Sequence, residues 1–323
     1  MTKVLVTHQL PGDRIHELPD HCAVNVWMGP GLLPRDSLHE ELADSEGLIC
    51  LLTDHVDEAL MTAHPQLRFI SSMSVGVDHI DVKAATARGI PVGNTPGVLV
   101  ETTADATFAL LLAAARRLVE ADRYVRGGHW RLENAWSPEF FTGKDVAGAT
   151  LGIIGLGEVG QAVARRAAGF GMRVLGWNRS PREVSGVEAM DLDDLLVESD
   201  FVSVNVALGE ETRNLIDARR LSLMKRDAVL VNTARGGIVD ELALADALSH
   251  DRLAAAGVDV FATEPVSADH PLLSLPNLVA TPHIGSATER TRQKMANIAA
   301  SNMLAALAGE AMPHCANPEV YSR

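Results

Sequence analysis

The sequence predicts an α/β protein made of two domains, each built on a parallel sheet. Three observations carry this. Short β-branched runs alternate with helical stretches along the chain. The runs fall into two series, separated by one long segment rich in Ala and Leu. Finally, 323 residues suffice for two ordinary domains, and 47% hydrophobic with 22% charged residues is the profile of a globular chain with sizeable cores.

The first series reads KVLVTH (3–8), AVNVWM (23–28), GLICLLT (47–53), LRFISSMS (67–74) and IPVGN (90–94). ETTADATFALLLAAARRLVEADRYV (101–125) follows as one long predicted helix, apolar on most faces and so expected to pack on more than one side. The second series reads TLGIIG (150–155), RVLGW (173–177), FVSVNV (201–206), AVLVNTA (228–234), AAAGVDV (254–260) and LVATPH (278–283). Six strands with intervening helices suit a doubly wound sheet. A last helix, ERTRQKMANIAASNMLAALAGE (289–310), has no strand after it, while the first series lacks a closing helix. The helix is therefore expected to return to that domain. The expected division is a first domain, 1–100, completed by 288–323, and a second, 101–287, with crossings near 98–102 and 285–290. A cleft between the domains is the expected ligand site.

Composition excludes several classes of function. A formal charge of −14 argues against sequence-independent binding to nucleic acid or to an anionic membrane, although a pocket can still be locally basic. Cys22, Cys50 and Cys315 are far apart and form no zinc-like pattern, so no metal is expected and a reducing compartment is. MTKVLVTHQLPGDRIHEL (1–18) reads as a strand followed by polar, helix-like sequence, without the apolar core of a leader peptide. No run approaches transmembrane length, and a cytoplasmic location is expected.

LGIIGLGEVG sets Gly155, Gly157 and Gly160 in a G-x-G-x-x-G pattern directly after a strand and before a helix. The first glycine permits the tight turn, the second lets backbone approach a pyrophosphate, and the third lets helix pack closely on strand. The helix N-terminus adds unpaired N–H groups and the positive end of its dipole. Such a glycine pattern alone is weak, but strand, loop, helix and second strand in order supply the confirming context. About twenty residues on, where an acidic residue would bind a ribose 2′-hydroxyl and repel a 2′-phosphate, the chain has Asn178, Arg179 and Ser180, with Arg182 beyond. The repulsion is gone and positive charge is at hand. This favours NADPH, with NADH possible; an ordinary solvated loop is the competing reading.

Three more segments fall at or past the ends of predicted strands, where open α/β sheets place ligands. VNTARGGIVD carries Arg235, AAAGVDVFATEP carries Asp259 and Glu264, and LVATPHIGS carries His283. Singly each has a bland reading as a surface arginine, a loop acid or a histidine in a turn.

Together these segments resemble the D-isomer-specific 2-hydroxyacid dehydrogenases. SVGVDHID, the glycine loop, NTARGG, GVDVFATEP and PHIGSAT stand in that family's order, and the resemblance covers the whole chain. Within the family the sequence is most similar to glyoxylate/hydroxypyruvate reductases, on the grounds of GLICLLTDHVD, ENAWSPEFF and PHIGSATERTRQKM. The implied fold is two Rossmann-like or flavodoxin-like parallel-sheet domains with an active-site cleft between them. The implied reaction is reduction of a small 2-keto acid, glyoxylate or hydroxypyruvate, to glycolate or D-glycerate.

The resemblance also implies residue roles. Arg235 would pair with the substrate carboxylate and polarise the ketone. His283 would be the general acid, and Glu264 would orient its imidazole and raise its pKa. Val75 and Gly76 would offer backbone N–H groups to the carboxylate, with Ser74 beside them, and Leu52 would wall the substrate end. Asp259 would contact the nicotinamide carboxamide, with Thr103 nearby. Further cofactor contacts would come from Leu156, Glu158, Val159, Val206, Ala207, Thr212, Thr233, Ala234, His283 and Gly285. Trp136 resembles a tryptophan that reaches into the partner's active site in these reductases; plain interface packing is the equal alternative. A homodimer through 101–141 is implied, since the helix 101–125 and the arm with Trp130, Trp136, Phe140 and Phe141 are unusually apolar for a surface. Formate dehydrogenases of the wider family carry glutamine where Glu264 stands, and members preferring NADH usually carry aspartate where Asn178 stands. The alternatives are a broader D-2-hydroxyacid dehydrogenase, such as a 2-ketogluconate reductase, and a non-catalytic NAD(P)-sensing protein.

Overall fold

The structure, a computed structural model, describes residues 2–12, 14–17 and 22–322. The chain opens with β1 (Thr2–Val6), β2 (Cys22–Val26), α1 (Arg35–Leu42), β3 (Gly47–Cys50) and α2 (Glu58–Ala63). β4 (Phe69–Ser72), α3 (Val82–Ala87) and β5 (Val92–Gly93) follow, then α4 (Val100–Ala115) and α5 (Leu118–Arg126). Next come β6 (Thr150–Ile154), α6 (Glu158–Gly169), β7 (Arg173–Trp177), β8 (Glu188–Ala189), α7 (Leu192–Glu198) and β9 (Phe201–Val204). The remainder is α8 (Ala218–Leu223), β10 (Val229–Asn232), α9 (Glu241–Ser249), β11 (Ala255–Val258), β12 (Leu278–Ala280) and α10 (Glu289–Leu307). The helix-like sequence expected after β1 lies partly outside the described residues; within it Arg14–Glu17 forms a 3-10 turn. The chain divides into two compact units, Met1–Leu99 with Ala287–Arg323, and Val100–Ser286.

In the first unit five parallel strands run in the order β2-β1-β3-β4-β5, the flavodoxin-like arrangement. The alternation of a strand explains its two cores. Leu5 points into a cluster with Leu38, Leu42, Leu48, Leu60 and Ile70, whereas Val4 and Val6 point to the other face. There Met295, Ala296, Ala299 and Met303, at helical spacing along α10, cover them together with Ile49 and Met73. The short helices start where carboxylates accept otherwise orphaned N–H groups: Asp57 takes Leu60 N and Asp81 takes Ala84 N.

In the second unit seven parallel strands run β12-β11-β10-β9-β6-β7-β8. This is the doubly wound dinucleotide-binding order with one strand added, and the order reverses between β6 and β9. Ala104, Phe108 and Leu111 of α4 pack with Ala162, Val163 and Ala167 of α6 in one core. Leu195, Leu221, Leu244 and Leu248 of α7, α8 and α9 contribute to the other.

Two expectations are corrected. The second sheet has seven strands, not six; the extra one, β8, is a two-residue edge strand with both residues exposed, so no hydrophobic run announces it. The long helix 101–125 is two helices, broken where Arg117 takes φ +53°, in the left-handed region. There Arg117 Nε and Nη2 grip Glu120 at 2.9 and 2.7 Å, and the guanidinium lies over the Phe141 ring at 5.0 Å. These contacts hold a backbone turn that Ala/Leu periodicity does not register.

Candidate active site

The glycine loop follows β6 at the point where strand order reverses. Gly155 has φ +102°, and a side chain there would strike the Asn205 backbone at 2.8 Å. A side chain at Gly160 would meet the Gly155 carbonyl at 2.0 Å, so α6 can lie close to β6 only without one. Gly157, which caps α6, faces open space. Backbone alone therefore borders that space at the helix N-terminus, with Glu158 and Val159 in its first turn. Nearby, Asn205 Oδ1 is buried and has no hydrogen-bond partner among the described residues. An open glycine-lined cradle at a helix N-terminus fits the pyrophosphate of a dinucleotide.

Asn178 ties this loop to the next. Its Oδ1 accepts Leu156 N at 3.1 Å and its Nδ2 donates to Ser180 O at 2.7 Å. Arg182 reaches back to Leu156 O at 2.9 Å. Arg179 instead pairs with Glu211 at 2.7 Å, both side chains more than 70% exposed. After β9, Val206 packs on the core and Thr212 closes a loop by donating to Ala207 O at 2.7 Å and accepting Gly209 N at 2.8 Å.

The carboxyl ends of β10, β11 and β12 bring Arg235, Asp259, Glu264 and His283 into one corner of the second unit. Arg235 follows β10; its Nη1 donates to Ala234 O at 2.8 Å, and its carbonyl accepts Asn232 Nδ2 at 2.8 Å. Gly236 beside it is obligatory, because a side chain would lie 1.9 Å from the Phe261 carbonyl carbon. Glu264 Oε1 accepts Phe261 N at 2.9 Å, and Oε2 meets His283 Nδ1 at 2.7 Å. Burial works to raise the Glu264 carboxyl, but the bonds from His283 and Phe261 and the charges of His283 and Arg235 prevail, and it sits below its ordinary value.

Asp259 is 1% exposed, and both of its carboxylate oxygens accept bonds within the corner. Its Oδ1 accepts Thr281 Oγ1 at 2.6 Å and Ile284 N at 2.7 Å, and its Oδ2 accepts Gly285 N at 2.7 Å. Its backbone carbonyl takes His283 N at 2.8 Å. These bonds frame the left-handed turn at His283, φ +54°, a conformation that needs such support in a residue other than glycine. A carboxamide partner could use only the remaining lone pair of Oδ2. Thr103 lies beside Gly285, and Thr107 Oγ1 links the Thr103 carbonyl to Thr233 Oγ1 at 2.8 and 2.7 Å.

In the first unit the loop after β4 turns its carbonyls inward. Thr95 N binds Ser74 O at 2.8 Å, Asn94 Nδ2 binds Val75 O at 2.9 Å, and Ser74 Oγ binds Gly76 O at 2.7 Å. The N–H groups of Val75 and Gly76 donate to none of the described residues. Two adjacent N–H groups without an acceptor are a type of group that can hold an anion. Leu52 is half-buried in the turn after β3. Trp136 is 78% exposed on the arm between α5 and β6, near Trp130 and Leu132. Sequence reading did not name Asn232, Thr281, Ser72, His79 or Asn94, polar groups whose hydrogen bonds hold the backbone or carboxylate beside the named residues. For Asn232, Thr281, Ser72 and Asn94 the sequence signal is a place at or just beyond the end of a strand; His79 has none of that kind.

A cavity of about 400 Å³ in the second unit opens at the amino ends of β10, β11 and β12, lined by Arg117, Lys144, Asp227 and Asn277 among others. It shares no residue with the corner just described. Among the described residues no group of three or more His, Cys, Asp or Glu could hold a metal ion, and no helix is long and apolar enough to cross a membrane.

A doubly wound sheet with a glycine loop at its switch point, and a paired histidine and glutamate on the same edge, define a dinucleotide-dependent oxidoreductase. Residues 108–285 match the family described as D-isomer specific 2-hydroxyacid dehydrogenase, NAD binding domain. The chain is 48% identical to a glyoxylate reductase of Korarchaeum cryptofilum over 98% of this chain and 96% of that one. A solved structure from Thermus thermophilus superposes with a TM-score of 0.91 at 46% identity, over 98% of this chain and all (100%) of that one. An NADPH-dependent glyoxylate/hydroxypyruvate reductase of Sinorhizobium meliloti, solved with NADP and malonate, gives 0.86 at 32% identity over 98% and 97% of the two chains. The chain belongs to the D-isomer specific 2-hydroxyacid dehydrogenases, a family of NAD(P)-dependent oxidoreductases.

Proposed function

We propose that the protein reduces small 2-keto acids, glyoxylate and hydroxypyruvate, to D-2-hydroxy acids, with NADPH preferred over NADH. The observation that carries this reading is the His283–Glu264 pair at 2.7 Å, with Arg235 close enough to act on the same carboxylate. The names of the Korarchaeum and Sinorhizobium relatives support the substrate class. The first unit is the substrate-binding domain and the second the dinucleotide-binding domain.

The nicotinamide, when bound, supplies a hydride to the carbonyl carbon. The protein's residues do the rest. Val75 and Gly76 N–H groups and Arg235 bind the substrate carboxylate and so orient the carbonyl. Glu264 accepts from Nδ1 of His283, which leaves Nε2 to present a proton to the carbonyl oxygen as it gains charge. The imidazolium becomes neutral imidazole, the carbonyl becomes an alcohol (primary from glyoxylate, secondary from hydroxypyruvate), and the proton is restored from solvent. Glu264, held ionised, stabilises the imidazolium before transfer. Thr103, Thr233, Ala234, Asp259 and Gly285 shape the nicotinamide end, and Leu156, Val206, Ala207 and Thr212 the pyrophosphate and ribose. Asn178 at the adenosine end brings no charge against a 2′-phosphate, and Arg179 is held there only by an exposed ion pair.

The protein works as a homodimer. Leu118, Val125, Trp130, Leu132 and Trp136 are all more than half exposed on α5 and the following arm, an apolar surface that association would cover. Trp136 belongs to this surface, where reaching into the partner's active site and plain interface packing are equal readings.

The test is turnover of glyoxylate, hydroxypyruvate and pyruvate with each cofactor, followed by NADPH or NADH absorbance. Turnover confined to pyruvate or larger keto acids would overturn the substrate assignment, and equal efficiency with both cofactors the cofactor preference. Binding of NADPH with no turnover of any keto acid would point to a sensor.

A further inference from the structure

The loop that presents Val75 and Gly76 is held by a chain of hydrogen bonds whose direction can be worked out. Ser74 Oγ lies 2.7 Å from the Gly76 carbonyl, which can only accept, so the Ser74 hydroxyl proton is committed there. Ser72 Oγ lies 2.6 Å from Ser74 Oγ. With the Ser74 proton in use, this contact is attractive only if Ser72 donates. The Ser72 proton is then committed too, and the 2.9 Å contact between Ser72 Oγ and His79 Nε2 requires the imidazole to donate. Cys50, buried beside Ser72, keeps its own proton because burial pushes its thiol up, so no thiolate competes for the Ser72 hydroxyl. Both serines are buried, at 0% and 3% exposure, so water does not offer an easy substitute partner.

We propose that His79 is a positioning residue for substrate binding: protonated on Nε2, it drives a one-way relay through Ser72 and Ser74 to the Gly76 carbonyl and fixes the Val75–Gly76 loop. This rests on the reading of those two N–H groups as the carboxylate site. The relay works with companions. Thr95 N and Asn94 Nδ2 bind the Ser74 and Val75 carbonyls, which belong to the same peptide units as the Val75 and Gly76 N–H groups. A carbonyl that accepts a hydrogen bond polarises its own peptide, making the N–H at the other end a stronger donor. The relay fixes the next peptide, so that both N–H groups hold one orientation. His79 is itself anchored, since its carbonyl accepts Val56 N at 2.9 Å and Ile80 pairs with Val56.

The experiment compares His79→Leu, which removes the donor, with His79→Gln, which keeps an N–H at similar reach, and with Ser72→Ala. Losing a link is expected to raise KM for glyoxylate about three- to tenfold in His79→Leu and Ser72→Ala. The carboxylate contact is made equally in ground and transition states, so kcat should move by about twofold or less. His79→Gln should recover most of the loss, and KM for NADPH should stay unchanged throughout. The His79→Leu/Ser72→Ala double variant should be no worse than either single one, because one relay is broken once. Unchanged KM in His79→Leu, or full additivity in the double variant, overturns the proposal.

A second measurement does not depend on turnover. Imidazole 15N spectra, with the His79 signal assigned by its loss in His79→Gln, should show a protonated Nε2. A bare Nε2 with the proton on Nδ1 overturns the relay. If the unaltered protein reduces no 2-keto acid, the substrate reading fails, and the 15N result alone decides the relay.

Discussion

The corner that holds His283 and the loop that holds Asn178 lie on the same edge of one sheet, yet they are built in opposite ways. At the corner, Asp259 is 1% exposed and directs its bonds to Thr281, Ile284 and Gly285, and Glu264 is shared between Phe261 N and His283. In the loop after β7, Arg179 sits in solvent on an ion pair with Glu211. Geometry that must be right to a few tenths of an ångström is framed by buried bonds between strand ends. On the function proposed above, choice between two cofactors needs only a charge, and an exposed loop has one that can be redirected at little cost.

The comparison can be broken at either end. The largest effect is expected at the corner: His283→Ala should lower kcat by about 10² to 10⁴, read in steady-state assays with glyoxylate and NADPH. A kcat within about tenfold of the original would remove the histidine from proton transfer. Next is the loop. Asn178→Asp combined with Arg179→Ala should shift the ratio of kcat/KM values toward NADH by about ten- to a hundredfold, the value of one charge-assisted hydrogen bond, with kcat nearly unaltered. A surviving NADPH preference would mean that the cofactor is chosen elsewhere.

Acid should separate Glu264 from an ordinary surface carboxylate. Its folded pKa lies below the unfolded value near 4.5, so its stabilisation is complete above that value and is lost as pH falls through the folded one. Glu264→Gln should therefore melt below the unaltered protein at neutral pH, with the gap closing in acid below the ordinary carboxylate range. A gap independent of pH would mean the glutamine has merely disturbed packing. The smallest effect is expected from Glu211→Gln. Freeing Arg179 from a pair worth about 1 kcal/mol at most should tighten NADPH by no more than about fivefold, seen as a lower KM.

Much of this was legible in the sequence because it rests on residues whose chemistry is unusual for their place. Three glycines after an apolar run, an arginine between alanine and glycine, and a histidine between proline and isoleucine each break local pattern. The family assignment and the fold class follow from them and are borne out. The parts that were not legible are held by ordinary residues. β8 has only Glu188 and Ala189, both exposed, and exists because β7 offers an open edge. The break at Arg117 depends on Glu120 and Phe141 meeting one guanidinium, a three-body contact that no periodicity carries. Asn178 reads in sequence as an absent acid. In the structure it also holds Leu156 N, so the residue that removes a charge also braces the glycine loop.

The closing helix α10 has a consequence for synthesis. Val4, Val6, Ile49 and Met73 belong to the first hundred residues, but their cover comes from Met295 to Met303. Domains generally fold as units while the chain is made. The second unit is complete once Ser286 has emerged, whereas the first must wait, one apolar face bare, until almost the whole chain has been translated. Until α10 is made, that face of the first sheet has no cover of its own.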